Sequence, residues 1–358
     1  MITLVVGNGF DLEHELPTQY KDFLKFLRVL NELNNNTSFG GYKDNVYLGS
    51  KFKSLATSEG LNIELVNVAT AWICEDVSAS VKFASSIGSN SWVHYFQTIY
   101  EENQIKGEDW IDFENEISKV VRKLEEESTF LMKQSNFFYK KDSIIEFMKE
   151  RDNYTIECKN KLAEYFIKEM DSFISFLEKY ISLVGELEIN HTSDDIKSIA
   201  GKVNNLISFN YTDTFRRKYN KSVTADFVHG KANENNIILD IEETIENKDE
   251  ISKKILCIRF KKYFQRIYKK TGLGYKEFLS KMRKGKNIAY FFGHSLSIND
   301  GDIIKYIVDK HEKSVFFYHN EKQHAEQIAN LVLILGKDRV IEAANTKFEF
   351  RKQNYGKE

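Results

Sequence analysis

Proline is nearly absent: Pro17 stands alone in 358 residues, where average usage of about 5% would supply well over a dozen. No low-complexity tract or internal repeat is present. Cysteine is also scarce. Cys74, Cys158 and Cys257 are scattered, odd in number and form no Cys-x-x-Cys pair. That excludes a disulfide framework and argues against a structural zinc site, so a reducing cytoplasmic location and no metal are expected. No apolar run reaches the roughly 18 residues that a membrane-spanning helix needs, so no membrane partner is expected. The opening Met1-Ile-Thr-Leu-Val-Val-Gly7 has no basic flank and reads as a strand rather than a signal peptide.

Several catalytic signatures are missing too. There is no phosphate-binding Gly-x-x-x-x-Gly-Lys-Ser/Thr and no Gly-x-Ser-x-Gly elbow. His319 and His324 miss the spacing of paired metal ligands on a helix. The dehydrogenase fingerprint would need a third glycine where Leu12 stands, which argues against a hydride-transferring enzyme of that type. A formal net charge of −2 points to no partner by itself.

What is present is apolar and aromatic: 42% hydrophobic residues, with 27 Phe and 18 Tyr, enough for a sizeable core. The abundance of Asn, Lys, Ile, Phe and Tyr has the bias of an AT-rich bacterial genome. Apolar strand-like runs occupy 2–6, then 203–209, 226–228, 236–239, 287–292, 313–318 and 340–343. Helical periodicity fills 158–184, 302–310 and 322–335, and loops are expected at 38–47 and 190–195. Alternating strand and helix predicts an α/β fold with a Rossmann-like parallel sheet. The expected boundaries are a nucleotide-binding core over 1–29 and 203–350, opened after its first βα unit by a large, mainly helical insertion over 30–202.

Four motifs each follow a strand-like run. Gly7-Asn8-Gly9-Phe10-Asp11 is either a bare tight turn or a turn that admits a phosphate to a helix start, and its place after the first strand favours the ligand. In Ser208-Phe-Asn-Tyr-Thr-Asp-Thr214, Asn210 can hold a ribose hydroxyl or a water, or cap the next helix. His229-Gly230 offers a base near neutral pH or a structural imidazole. Gly293-His294-Ser295 can meet phosphate, while Asp300 reads as a helix cap. Separately, Ser252–Lys286 holds thirteen basic residues against one acid, Glu277, with aromatics between them. This segment, 253–286 in its basic extent, is either a nucleic-acid contact or a solvated face paired with acids.

Taken in order, Gly7-Asn-Gly-Phe-Asp11, Leu16-Pro-Thr-x-Tyr20, Asp22-Phe23, Trp110-Ile-Asp-Phe-Glu114, Ser208-Phe-Asn-Tyr-Thr-Asp-Thr214, His229-Gly230 and Gly293-His-Ser-Leu296 resemble the AbiH family of phage abortive-infection proteins. The glycine turn, Asn210, His229-Gly230 and Gly293-x-Ser295 are also spaced like the motifs of the sirtuins. That second resemblance implies a sirtuin-like core, with NAD as the substrate rather than a prosthetic group. It implies hydrolysis at the N-glycosidic bond, with Asn210 and His229 as catalytic residues. The expected nucleotide-contacting set is Gly7, Asn8, Gly9, Phe10, Asp11, Thr18, Tyr211, Asp213, Gly293, His294 and Ser295. Three functions stay open: an NAD-consuming defence hydrolase, a nucleic-acid-cutting or nucleic-acid-binding effector, and a non-catalytic nucleotide sensor. Expected partners are the nucleotide, a phage-derived trigger and further copies of the chain.

Overall fold

The computed structural model describes residues 1–36, 45–125, 141–149, 156–239, 257–283 and 285–354. Six strands form one sheet: β1 (Ile2–Val6), β2 (Asn205–Ser208), β3 (Thr224–Phe227), β4 (Ile288–Phe292), β5 (Lys313–Tyr318) and β6 (Phe348–Lys352). Their order is β3-β2-β1-β4-β5-β6, and every neighbouring pair is parallel. This is the strand order of doubly wound sheets, in which the direction of winding reverses between β1 and β4.

The apolar runs are continuous because both faces of the sheet are covered. Val5, Ile207, Phe291 and Phe316 point to one face and pack with Ile303, Ile304, Ile307 and Leu331 from the helices Gly301–Lys310 and Glu321–Leu335. Leu4, Val6, Leu206, Phe292 and Val315 point to the other and pack with Phe10, Ile196, Ile199 and Phe215. Each fully buried aliphatic side chain contributes about 1.5–3 kcal/mol of transfer free energy.

The chain divides into two compact units. One comprises Met1–Thr18, Glu188–Ile237 and Arg266–Glu358 and contains the sheet. The other comprises Gln19–Leu187 and Ile238–Gln265, and its described elements are all helical. Its longest helix, Ile156–Val184, is the one expected from periodicity. It buries Phe166, Phe173, Leu177 and Tyr180, and the Phe166 carbonyl accepts the Trp92 indole N–H at 2.8 Å. Phe113 of the Trp-Ile-Asp-Phe-Glu segment is fully buried and stacks on Phe96 at 4.2 Å, while Trp110 is exposed.

Two expected strands are absent. Residues 236–239 are irregular although 237–239 are buried, and the Ile237 carbonyl meets a side chain, accepting from Lys269 Nζ at 2.6 Å. Residues 340–343 belong to the helix Lys337–Thr346, where Val340 and Ala343, three apart, share its buried face. The sixth strand is β6 instead. It alternates Phe348 and Phe350 with charged residues, as suits a sheet edge. Of the loop expected over 38–47, residues 38–44 lie outside the described residues, and 45–47 begin the helix Asn45–Ser58. The loop expected over 190–195 ends early, because Asp194 already starts the helix Asp194–Ala200. Among the described residues, no helix is long and apolar enough to cross a membrane.

Candidate functional site

Because all six strands are parallel, the turns that leave β1, β2, β3 and β4 emerge at one edge of the sheet. The turns after β1 and β4 interlock through their backbones. Gly7 N–H donates to the Phe292 carbonyl at 3.1 Å, and Gly9 N–H donates to the Gly293 carbonyl at 2.8 Å. Gly293 has a left-handed φ of 64°, and a Cβ there would stand 2.1 Å from the Phe10 nitrogen. A Cβ on Gly9 would stand 2.8 Å from the Gly293 Cα. The glycines are thus explained by one turn lying against another, and two of their N–H groups are already bonded within the protein.

The turn after β2 ties into this pair. Asn210 Nδ2 donates to the Gly7 carbonyl at 3.0 Å, and the Asn210 N–H donates to Ser208 Oγ at 3.2 Å. The Thr212 hydroxyl donates to Asp11 Oδ2 at 2.5 Å, and the Thr214 hydroxyl to Thr212 Oγ1 at 3.1 Å. Asp11 is 1% exposed, and its Oδ1 has no partner. Burial pushes its carboxyl from the ordinary 3.8 up to about 6, against the pull of the hydrogen bond from Thr212.

The turn after β3 delivers His229. Its Nε2 lies 3.1 Å from Asp300 Oδ1, with both side chains nearly buried. A carboxylate only accepts, so Nε2 carries the proton and Nδ1 is left as the basic nitrogen. Asp300 occupies the cap position of the helix Gly301–Lys310, yet its side chain makes no capping bond. It faces the imidazole instead. A second imidazole flanks the same carboxylate: His294 Nδ1 accepts the Leu296 N–H at 2.8 Å, which leaves the proton on Nε2, 3.9 Å from Asp300 Oδ2. The Phe209 ring stands edge-on to both imidazoles, at centroid distances of 5.4 Å and 4.2 Å. Buried Leu296 holds a left-handed φ of 57°, uncommon for a side chain of its shape and recurrent at functional sites.

The expected site residues therefore divide. Gly7, Gly9, Asp11, Asn210, Gly293, His229 and His294 come together at this edge. Asn8 and Thr18 bond to each other at the surface, with Oγ1 donating to Oδ1 at 2.7 Å. Tyr211 places its ring 6.4 Å from that of His229. Phe10 is core: it is fully buried against Phe215, Tyr219 and Phe292, so its ring does not face a ligand. Asp213 is engaged by Arg216 at 2.6 Å and Lys231 at 3.1 Å. Ser295 is exposed, and its carbonyl accepts from Asn330 Nδ2 at 3.1 Å. Asp300, which the sequence reads as a helix cap, and Thr212 also contribute side chains to this cluster.

The basic segment has internal partners along its described part: Lys261 with Glu125 at 3.7 Å, Lys262 with Glu114 at 3.4 Å, Arg266 with Asp302 at 3.6 Å and Lys281 with Glu277 at 2.6 Å. Residues 253–256 and 284 lie outside the described residues. Among the described residues, no group of three His, Cys, Asp or Glu side chains could hold a metal ion.

Compared with known proteins, residues 3–339 match the model of a family described as "Bacteriophage abortive infection AbiH". No curated protein matches the chain, and no solved structure does.

Proposed function

Since this chain belongs to the AbiH family of bacteriophage abortive infection proteins, we propose that it is a defence effector that hydrolyses NAD or a related nucleotide at the N-glycosidic bond. The observation that carries this reading is the His229–Asp300 pair at the carboxyl edge of a parallel sheet, where doubly wound folds bind ligands. The reaction asks little of the protein. Nicotinamide leaves as a neutral molecule with the bonding electron pair, so the leaving group needs no strong acid. The ribose passes through an oxocarbenium-like state, as in glycoside hydrolysis. Water supplies the new C1′–O bond and loses one proton.

His229 Nδ1 takes that proton, and the Asp300 carboxylate steadies the resulting imidazolium while fixing the ring's orientation. Asn210 plays a narrower part than a catalytic one. Its amide N–H braces the Gly7 carbonyl, and its Oδ1 remains to accept a ribose hydroxyl. The buried Phe209 ring, in contact with both imidazoles, helps to keep bulk water from the dyad.

The test is mass spectrometry of nucleotides after incubating the pure protein with NAD, NADP, ATP and tRNA. The expected result is nicotinamide release from NAD or NADP. It should fall about 10²–10⁴-fold in His229→Ala and substantially in Asp300→Asn. Unchanged turnover in both variants, at normal thermal stability, overturns the assignment.

A further inference from the structure

Arg266 stands out among the charged groups that the proposed chemistry does not use. Its side chain is only 7% exposed. Its Nε and Nη2 are buried and have no hydrogen-bond partner. Its nearest acid is Asp302, whose Oδ2 lies 3.6 Å from the guanidinium, too far for a hydrogen bond, on a side chain that is 66% exposed. Asp226, also nearby, is committed elsewhere: it accepts the backbone N–H groups of Tyr275, at 2.8 Å, and Gly274. A guanidinium cannot shed its proton, so it sits buried, charged and short of acceptors. Such a group is costly unless something anionic completes it.

Its location says where that anion belongs. The Arg266 carbonyl accepts the Thr271 N–H at 3.0 Å, and the Thr271 hydroxyl donates to the Phe227 carbonyl at 3.2 Å. This lays the segment along the end of β3, two residues before His229. On its other side stands Asp302, two residues beyond Asp300. Arg266 is thereby tied to both chain segments that carry the dyad, each two residues from one of its members.

We infer that Arg266 is the phosphate-binding residue of this site, its partnerless Nε–H and Nη2–H forming a fork for two oxygens of one phosphoryl group, while the exposed Asp302 carboxylate lies beside Nη1 and opposes the ligand's charge. This rests on the nucleotide reading above and names the group that holds the diphosphate. The glycine turn, whose Gly7 and Gly9 N–H groups are already bonded, is relieved of that task. A planar fork matches a phosphoryl group in a way that a lysine ammonium does not.

The experiment is calorimetric titration of the full chain, its Arg266→Lys variant and its Asp302→Asn variant with ADP-ribose, inorganic pyrophosphate and nicotinamide riboside. The expected result is that Arg266→Lys weakens ADP-ribose at least about tenfold, since charge remains but the fork is lost. Asp302→Asn should tighten it about threefold by removing a competing surface carboxylate. Nicotinamide riboside, which carries no phosphate, should be indifferent to both changes. Pyrophosphate following the ADP-ribose pattern identifies the bare diphosphate as sufficient; pyrophosphate failing to bind while ADP-ribose keeps the pattern identifies the dinucleotide. Either supports the inference. It is overturned if the unaltered protein binds neither phosphate-bearing probe, or if Arg266→Lys binds ADP-ribose as tightly as the unaltered protein. Should Arg266→Lys fail to fold, the Asp302→Asn arm decides, and no tightening there overturns it. Binding is read without turnover, so a failure here and a failure of NAD hydrolysis are separate results.

Discussion

Asp11 should make the sheet-bearing unit less stable as pH rises, and Asp11→Asn should remove that dependence. The carboxyl is fully buried with one oxygen unpartnered, and burial raises it from 3.8 to about 6. The folded protein thus holds this proton more tightly than the unfolded chain does. Stability attributable to the group is fully present below about pH 4, declines as pH rises through about 6, and is level beyond. The difference between the two values amounts to about 3 kcal/mol at 1.36 kcal/mol per pH unit. An asparagine cannot ionise, and it keeps an oxygen for the Thr212 hydroxyl. The stability of Asp11→Asn minus that of the unaltered protein should therefore grow by about 3 kcal/mol between about pH 4 and 7. Every other titrating group cancels in that difference. Native-state hydrogen exchange of the β1 amides, measured across this range, reads the unfolding of this unit directly. A flat difference, or one that shrinks with rising pH, refutes the reasoning. Thr212→Val should steepen the dependence, because it removes a hydrogen bond that favours the ionised form.

Three further outcomes are expected. Gly293→Ala should cost at least about 3 kcal/mol, because the new Cβ meets the Phe10 nitrogen in a left-handed residue; melting within a degree of the unaltered protein would contradict the interlock. Asn210→Ala should cost about 1 kcal/mol and lower the melting temperature by about 2–4 °C, through loss of its bond to the Gly7 carbonyl; an unchanged melt would show that the brace contributes nothing. The basic segment should not bind RNA or DNA at physiological salt, because Lys261, Lys262 and Lys281 already face carboxylates; micromolar binding that weakens steeply with added salt, in a filter or anisotropy assay, would reverse that.

Much of the sheet was legible because strands buried on both faces write themselves as unbroken apolar runs. Ile288–Phe292 is of that kind, and Ile2–Val6 is broken only by Thr3. The edge strand β6, with its alternating charges, lacks that signal and was missed, while 236–239 looked like a strand because three of its residues are apolar and buried. The placement of Gly7, Asn210, His229 and Gly293 at one end of the sheet was also readable, since it follows from motifs at the ends of parallel strands, whereas Ser295, expected with them, is exposed. What each side chain does there was not. Phe10 sits within the most distinctive motif yet is a core residue, because helix geometry turns it inward. Asp300 had the address of a helix cap, and only the fold shows its carboxylate turned to a histidine 71 residues earlier. Arg266 was one basic residue in a run of them; its burial is a tertiary fact with no local signature.

The sheet has an order in time as well as in space. Ile2 pairs with Ile288, and Thr3 with Asn205, so β1 lies beside partners that a ribosome has yet to make. At about 5–20 residues per second, the stretch from β1 to β4 takes on the order of 15–60 s to synthesise. For that interval β1 has no strand on its β4 side, while the helices up to Val184 can already form from neighbouring residues. The Gly293 turn and Asp300 arrive later than β1, β2 and β3. A chain whose translation stops before Gly293 therefore holds His229 without its carboxylate and Gly9 without the carbonyl it bonds, so the His229–Asp300 pair exists only in a chain translated well past β4.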